Sequence, residues 1–493
     1  MKPKSVIIIG AGVGGMTAAI HLAKSGLHVT VLEKNAGPGG RCGRLVRDGH
    51  LFDTGPTLFV MPLLYASEFH ALGISMHEEL GLQRVDPTYR LMFDDGRRLD
   101  LTSDMKSMRD QLDSMQPGSF QGLMRYLREG DEHYRLVVDN LVTRDFRNAF
   151  DFFNPQTLSA VLRIKPFSNH YRNMSAYFNE PRLKNAFTFQ DMYMGLSPFD
   201  APATFSLMPY SEMAHGVWYP KGGMYRVAET LAEVGRNAGV EFAFTTAVER
   251  IEVQGTRARG VRLAGGSSLP ADIVLANADL PYVYRDLLPH DGMIRTLSRK
   301  EYSCSVINFF WGTDKRYESL GPHTLFLADD YRENFESIIR DLSLPANPTI
   351  YLHAPVRLDS SMAPPGCDSL TATVPVGHIN ERGGQDWEAI RSEARGHVLR
   401  RLRTLGIADL EAHIKVEETF TPPGWAERYN LVKGSTHGLS HRLTQLACFR
   451  PSNRHSRYTN LFFVGASTHP GTGLPTTMVS GRLVSERIRQ EQH

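Results

Sequence analysis

Val6-Ile-Ile-Ile-Gly-Ala-Gly-Val-Gly-Gly15, a helix-like run behind it and then Val29-Thr-Val-Leu-Glu33 form the pattern of a dinucleotide-binding βαβ unit. The apolar run 6–9 predicts a strand buried on both faces. Gly10, Gly12 and Gly15 carry the G-x-G-x-x-G spacing. The first permits a tight turn, the second lets backbone approach a pyrophosphate, and the third lets the helix pack closely on the strand. The helix beginning there aims unpaired N–H groups and the positive end of its dipole at the phosphates. Met16, Ala19, Ile20 and Ala23 recur at helical spacing, and Gly26 ends the helix. Glu33 closes the second strand 18 positions after Gly15, where a carboxylate accepts hydrogen bonds from a ribose diol. Glycines alone are a weak signal. Strand, glycines, helix, strand and terminal acid in register are a strong one.

At 493 residues the chain has room for two or three domains and a buried ligand cavity. Hydrophobic residues at 41% and charged residues at 22% describe a soluble globular protein. A net charge of +2 gives no reason to expect nucleic acid. Cys42, Cys304, Cys367 and Cys448 stand far apart with no C-x-x-C pair, which reads as reduced thiols rather than disulfides or a metal centre. Met1-Lys-Pro-Lys4 leads straight into the first strand, so no signal peptide is expected. No apolar run approaches the ~20 residues that span a bilayer. The expectation is a cytoplasmic protein that is not integral to a membrane and can still rest on its surface.

Neither repeats nor low-complexity linkers break the chain, which predicts interleaved domains. Gly37-Pro-Gly-Gly-Arg-Cys-Gly43 is a flexible loop carrying an arginine, and Phe52-Asp-Thr-Gly-Pro-Thr57 is a tight turn by composition. An Asp95-Gly96 turn inside 89–101 predicts a hairpin. Residues 105–215 are helical in pattern and rich in aromatic residues and methionine. An amphipathic helix over 224–237 is followed by predicted strands at 240–244, 248–253, 260–263 and 271–276. Strands and helices alternate over 295–440. A last buried strand covers 460–465, and a helix runs over 474–491.

Two features favour FAD over NAD. Gly39-Gly40-Arg41 arrives just after the ribose-binding acid, where a guanidinium can neutralise pyrophosphate charge. Val464-Gly-Ala-Ser-Thr-His-Pro-Gly-Thr-Gly473 joins a strand to a helix, a second glycine-rich helix N-terminus suited to the ribityl chain and flavin ring. No second G-x-G-x-x-G exists, as a flavin enzyme reduced by NADPH commonly has. The flavin is therefore expected to take hydride from the substrate and pass electrons to oxygen or a quinone.

The run 460–480, centred on Gly465-Ala-Ser-Thr-His-Pro-Gly-Thr-Gly-Leu474, resembles the signature of the bacterial and fungal type of phytoene desaturase. Further matches are Phe52-Asp-Thr-Gly-Pro56, Trp218-Tyr-Pro-Lys-Gly-Gly223, Asn277-Ala-Asp279 with Tyr284-Arg-Asp-Leu-Leu288, Tyr351-Leu-His-Ala-Pro355, Lys433-Gly-Ser-Thr-His-Gly-Leu439 and Phe449-Arg-Pro451. The resemblance implies an FAD enzyme that introduces double bonds into a long polyene and attaches peripherally to membranes. The implied fold class is α/β: a Rossmann-like FAD-binding domain of the amine-oxidase type, interleaved with an α+β substrate domain. The FAD-binding domain is expected from 1–80, 221–294 and 441–493, and the substrate domain from 81–220 and 295–440. Carried over by motif, the flavin contacts are Gly10, Gly12, Gly14, Gly15, Glu33, Gly40, Arg41, Gly55, Gly465, Gly473 and Leu474, with Val248 as a backbone contact to adenine.

Desaturation needs hydride transfer to flavin and loss of a proton from the neighbouring carbon, so few catalytic side chains are expected. His469 is the candidate for proton transfer, set against a role in fixing the strand-to-helix turn. His353 and His437 lie in matched motifs and are equally open to a structural reading. His437 and His441 stand four apart without a third ligand, so no metal is expected. The stretch Lys165-Pro-Phe-Ser-Asn-His-Tyr-Arg172 through Tyr177, Phe178, Arg182 and Lys184 mixes cations and rings. It reads either as a membrane-interfacial patch or as core aromatics beneath a solvated charged face. Three rivals to phytoene desaturation stay open. One is a related carotenoid enzyme (3,4-desaturase, diapophytoene desaturase or terminal-methyl oxidase). Another is a non-catalytic prenyl-lipid-binding module of the same fold, which has no need of the glycines, Glu33 and Arg41. An amine oxidase is disfavoured by the His-Pro-Gly-x-Gly turn.

Overall fold

A computed structural model describes residues 3–147, 149–288 and 291–492. The run 6–9 forms the centre of a five-stranded parallel sheet in the order Leu461–Phe463, Ile273–Ala276, Ser5–Ile9, His28–Leu32, Glu241–Ala243. Val6 to Ile9 pair in register with Ile273 to Ala276 on one side and Val29 to Leu32 on the other. Their side chains are buried on both faces, which explains the uninterrupted apolar run. Helix Val13–Lys24 covers one face, packed between the sheet and the C-terminal helix Leu474–Gln492. Chain segments more than 400 residues apart thus share one core, because parallel strands need long crossovers.

Antiparallel strands Val248–Gln254, Arg257–Leu263 and Ser268–Pro270 form a small second sheet. The middle strand starts three residues before the expected 260, since Arg257 already pairs with Gln254 across the Gly255-Thr256 turn. The expected strand over 240–244 shortens to Glu241–Ala243, an edge strand with a neighbour on one side only.

The 89–101 hairpin, Tyr89–Phe93 and Arg98–Leu101, edges a seven-stranded sheet whose other five strands come from 305–420. Within it only the pair Tyr89–Phe93 and His323–Leu327 is parallel. Helices Met105–Met115, Ser119–Val137 and Leu207–Ala214 pack with the 170–190 region, and Met108, Leu112, Leu123, Phe178 and Phe187 join Leu325 in one core.

The interfacial reading of 165–184 holds for little of that stretch. Phe178 is core, His170 is buried between Tyr126 and Asp191, and Lys165 pairs with Glu129. Arg182 pairs with Asp95 and Glu180, so these cations answer protein carboxylates. Within the stretch Phe167 is the exposed ring, and further exposed apolar side chains gather just upstream, at Phe153, Leu158 and Leu162. No described helix is long and apolar enough to cross a membrane.

Candidate active site

The parallel sheet places Gly10, Gly12, Gly14 and Gly15 at its C-terminal edge, where the first helix begins. That helix has no capping side chain and no acid in its first turn, so its N–H groups stay open to an anion. Gly12 is held there by close approach: a Cβ would stand 2.6 Å from Asn277 Nδ2. Glu33 is fixed by two backbone donors, Ala11 N–H and Asn35 N–H, each at 2.8 Å. The Gly37–Gly43 loop lies across the same point. Gly39 N–H donates to Ala11 O at 2.8 Å, and a Cβ on Gly40 would come within 3.5 Å of Gly12 Cα. Val248 opens the first strand of the small sheet, paired with Leu263 and nearly buried.

Most of the other predicted residues meet at a cavity of about 510 Å³, within the size range of ligand pockets, while Gly465 lies outside its lining, where a Cβ would stand 3.5 Å from Asn277 Oδ1. Arg41, Gly55, His437, His469, Gly473 and Leu474 all line it. Gly55 is required by its turn, since a Cβ would sit 2.0 Å from Arg41 O. Arg41 donates to Thr436 O at 2.7 Å, and burial lowers its pKa against the opposing pull of Asp279. Leu474 starts the C-terminal helix, whose first turn also holds no acid. The remaining wall is mostly apolar, with Met208, Phe335 and Trp425 among its members, beside Tyr89 and Tyr193.

His469 is more constrained than its motif shows. Its Nε2 lies 2.7 Å from Arg144 O, which makes Nε2 the protonated nitrogen, and its ring meets Phe146 edge-on at 5.2 Å. Burial lowers its pKa to about 4. His437 is lowered to about 4 by burial and by Arg41. His441 accepts the Thr472 N–H at 3.0 Å, which pins the Pro470–Gly473 turn. His353 stacks on His323 at 4.7 Å, away from the cavity lining, behind Tyr351, whose hydroxyl bonds Thr57 and His323 at 2.7 Å each.

Three residues that sequence reasoning passed over hold this site together. Asn277 packs against Gly10, Gly12 and Gly15 and donates to Gly10 O at 3.1 Å. Asp279 is buried and accepts from Ser467 Oγ at 2.7 Å and Val432 N–H at 3.2 Å. Arg450 is buried and donates to five carbonyl oxygens around the 465–473 turn. All three lay in matched motifs, Asn277-Ala-Asp279 and Phe449-Arg-Pro451, to which no role had been attached.

An open, glycine-walled helix start with a fixed carboxylate at one end fits an adenine dinucleotide. The second helix start, opening on an apolar chamber, fits the ring of a flavin. This is the layout of a flavoprotein oxidoreductase. The family model for flavin-containing amine oxidoreductases matches residues 13–489, and the chain belongs to that family. Its cofactor is accordingly a flavin. Within the family, the likeness to phytoene desaturases read from the motifs extends along the whole chain. A phytoene desaturase of Fusarium fujikuroi is 41% identical over 510 residues, covering 99% of this chain and 90% of that protein. A zeta-carotene-forming phytoene desaturase of Myxococcus xanthus is 42% identical over 494 residues, covering 99% and 95%. A solved putrescine oxidase variant shares the fold, with a TM-score of 0.66 at 15% identity over 99% of both chains.

Proposed function

We propose that the protein is an FAD-dependent carotenoid desaturase that introduces C=C bonds into a long polyene such as phytoene. The observation that carries this reading is the continuity of one apolar cavity with the 469–477 turn at the flavin end. The full-length relatives support the same chemistry.

A flavin, when bound, would supply the hydride acceptor, with oxygen or a quinone as the final acceptor of its electrons. The chain's own residues bind, orient and exclude water. The N–H groups after Gly12 and the Arg41 guanidinium answer the pyrophosphate, and Glu33 the adenosine ribose; Val248 backbone meets the adenine. The helix start at Leu474, on the cavity lining, would hold the ring end. Apolar walls keep water from the polyene, whose delocalised cation needs no strong electrophile. We assign His469 to positioning, because its one N–H already holds the Arg144 carbonyl and its low pKa makes it a weak proton acceptor.

Expression in cells that make phytoene and cannot desaturate it tests the function. Chromatography of the pigments should reveal conjugated polyenes and count the bonds introduced. A terminally oxidised product would point to the carotenoid-oxidase alternative. Unchanged phytoene, with purified protein lacking flavin absorbance, would return the chain to the prenyl-lipid-binding class.

The polyene is delivered from a bilayer, and we assign the docking face to the apolar side chains around the cavity's helical wall. Phe152, Val161, Ile164 and Phe449 line the cavity, while Leu162 (71% exposed) and Phe167 (84% exposed) project from the same segment. The surface and the chamber are thus continuous. Replacing both Leu162 and Phe167 by Asp is expected to weaken liposome binding at least about tenfold, from lost apolar insertion. Flavin content should stay unchanged. Undiminished sedimentation with vesicles would reject this face.

A further inference from the structure

Each desaturation releases a proton from a carbon inside an apolar chamber, and the histidines on its wall are poor acceptors. His437, His441 and His469 are all pushed well below the usual histidine range by burial. Another polar group reaches the wall from the helical side. Tyr193, in the segment Phe189–Met194, and Tyr89, on the hairpin strand, both line the cavity, and their hydroxyls are hydrogen-bonded to each other. Tyr193 Oη donates to Glu212 Oε1 at 2.7 Å, and Gln190 Nε2 donates to Glu212 Oε2 at 3.0 Å.

Glu212 belongs to helix Leu207–Ala214 and is 5% exposed, one layer behind the cavity wall. Leu101, Phe187, Pro209 and Met213 close its far side. No Lys, Arg or His pairs with it among the described residues; the titratable groups that face it are Tyr89, Tyr126 and Tyr193. Gln190 Oε1 has no partner, so turning that amide over presents an acceptor to a carboxyl protonated on Oε2, while one protonated on Oε1 donates back to Tyr193 Oη. A carboxyl served in both protonation states, and wired by a hydroxyl to the cavity, is built to take up and release a proton.

We propose that Glu212 is the terminal proton acceptor of the desaturation, reached from the cavity through the Tyr193 hydroxyl. This rests on the desaturase reading. The C–H bond beside the cationic carbon breaks, its proton passes to Tyr193 Oη, and the hydroxyl's own proton moves to Glu212 Oε1. The C–H electron pair becomes the new π bond. The hydride from the neighbouring carbon, with the other electron pair, has already gone to the flavin, which is the oxidant. After product leaves, the same two hops in reverse return the proton to water entering the cavity. Burial raises the Glu212 pKa to about 7, so the carboxylate form that the relay requires is lost as pH falls below neutrality.

The test compares wild type with Glu212→Gln and Tyr193→Phe, near-isosteric changes at a tyrosine–carboxyl contact. Turnover of phytoene by wild type should fall on the acid side with an apparent pKa near 7. Glu212→Gln should lose that limb and turn over about 100-fold more slowly at alkaline pH, the low end of general acid–base effects. Tyr193→Phe should match it if the hydroxyl is the link. Independently of activity, infrared difference spectra of flavin-free wild type between acid and alkaline pH should contain a carboxylic C=O band titrating near neutrality. In Glu212→Gln the component titrating near 7 should be gone, leaving that of Asp53, which burial raises to about 6. Wild type that leaves phytoene unchanged overturns the desaturase reading. Active wild type with the same pH profile and rate in Glu212→Gln, or in Tyr193→Phe should Glu212→Gln fail to fold, overturns the relay. A missing infrared band overturns it too.

Discussion

Gly12→Val is expected to yield protein without bound flavin. A Cβ at this position already stands 2.6 Å from Asn277 Nδ2, and valine adds two methyl groups at the mouth of the first helix. Asn277 cannot retreat cheaply, because its amide donates to Gly10 O and its Cβ packs on Gly15. Overpacking of this kind costs ~3 kcal/mol at its upper end, which alone corresponds to ~100-fold weaker binding if it falls on the bound state. The same methyls also block backbone approach to a pyrophosphate. The flavin-to-protein absorbance ratio after purification, and a titration of FAD into apoprotein, measure the loss. Gly265→Ala is the control, since no atom lies within 4 Å of its Cβ position. Flavin occupancy at the wild-type level in Gly12→Val would contradict the placement of the cofactor.

Arg450→Met should cost as much stability as any single change near the site. The guanidinium reaches Thr468 O at 3.0 Å, Ser440 O and Gln445 O at 3.1 Å each, Leu439 O at 3.2 Å, and Ala466 O. Burial lowers its pKa to about 9, with Asp279 the opposing influence, so it stays charged at neutral pH. Methionine fills similar space and removes every donor. Each carbonyl left short of a partner costs about 1–3 kcal/mol where water cannot enter, so a loss on the order of 3–5 kcal/mol is expected even with partial relaxation. Lysine should not rescue, because a single ammonium cannot reproduce a planar fork. Thermal melting with and without added FAD measures it: both midpoints should fall, and flavin retention with them. An unchanged midpoint would mean that the 465–473 turn is held by its own backbone and by His441.

How far the site could be read from residues depended on whether a pattern is local. The glycine fingerprint is local: six positions specify a turn, a helix start and an approach, and the parallel sheet places them where the spacing predicted. The strands at 273–276 and 461–463 were equally legible, as buried central strands stay apolar without interruption. His469 shows where this ends. Its motif placed it beside the glycine-rich turn, yet its tautomer is decided by the Arg144 carbonyl, 325 residues away in the chain. The basic and aromatic stretch over 165–184 is a second case. Composition cannot tell a lipid-facing ring from a buried one, and Phe178 went into the core while Phe167 stayed outside. Glu212 left no trace at all, one acid in a short helix between Ser211 and Met213. Its standing comes from burial against two tyrosines contributed by other elements.

By itself, then, the sequence determined the cofactor class and the polarity of the nucleotide-binding unit, because both follow from backbone conformations that neighbouring residues dictate. It also carried the family likeness, which lies in short contiguous motifs. Only the tertiary structure decided how those motifs are used: that Asn277 is the wall against which the fingerprint glycines pack, that Arg450 clamps the 465–473 turn, and that a buried glutamate stands behind a tyrosine on the wall of an apolar cavity. Desolvation, hydrogen-bond partners and a shared wall arise between segments distant in sequence, and no periodicity along the chain records them.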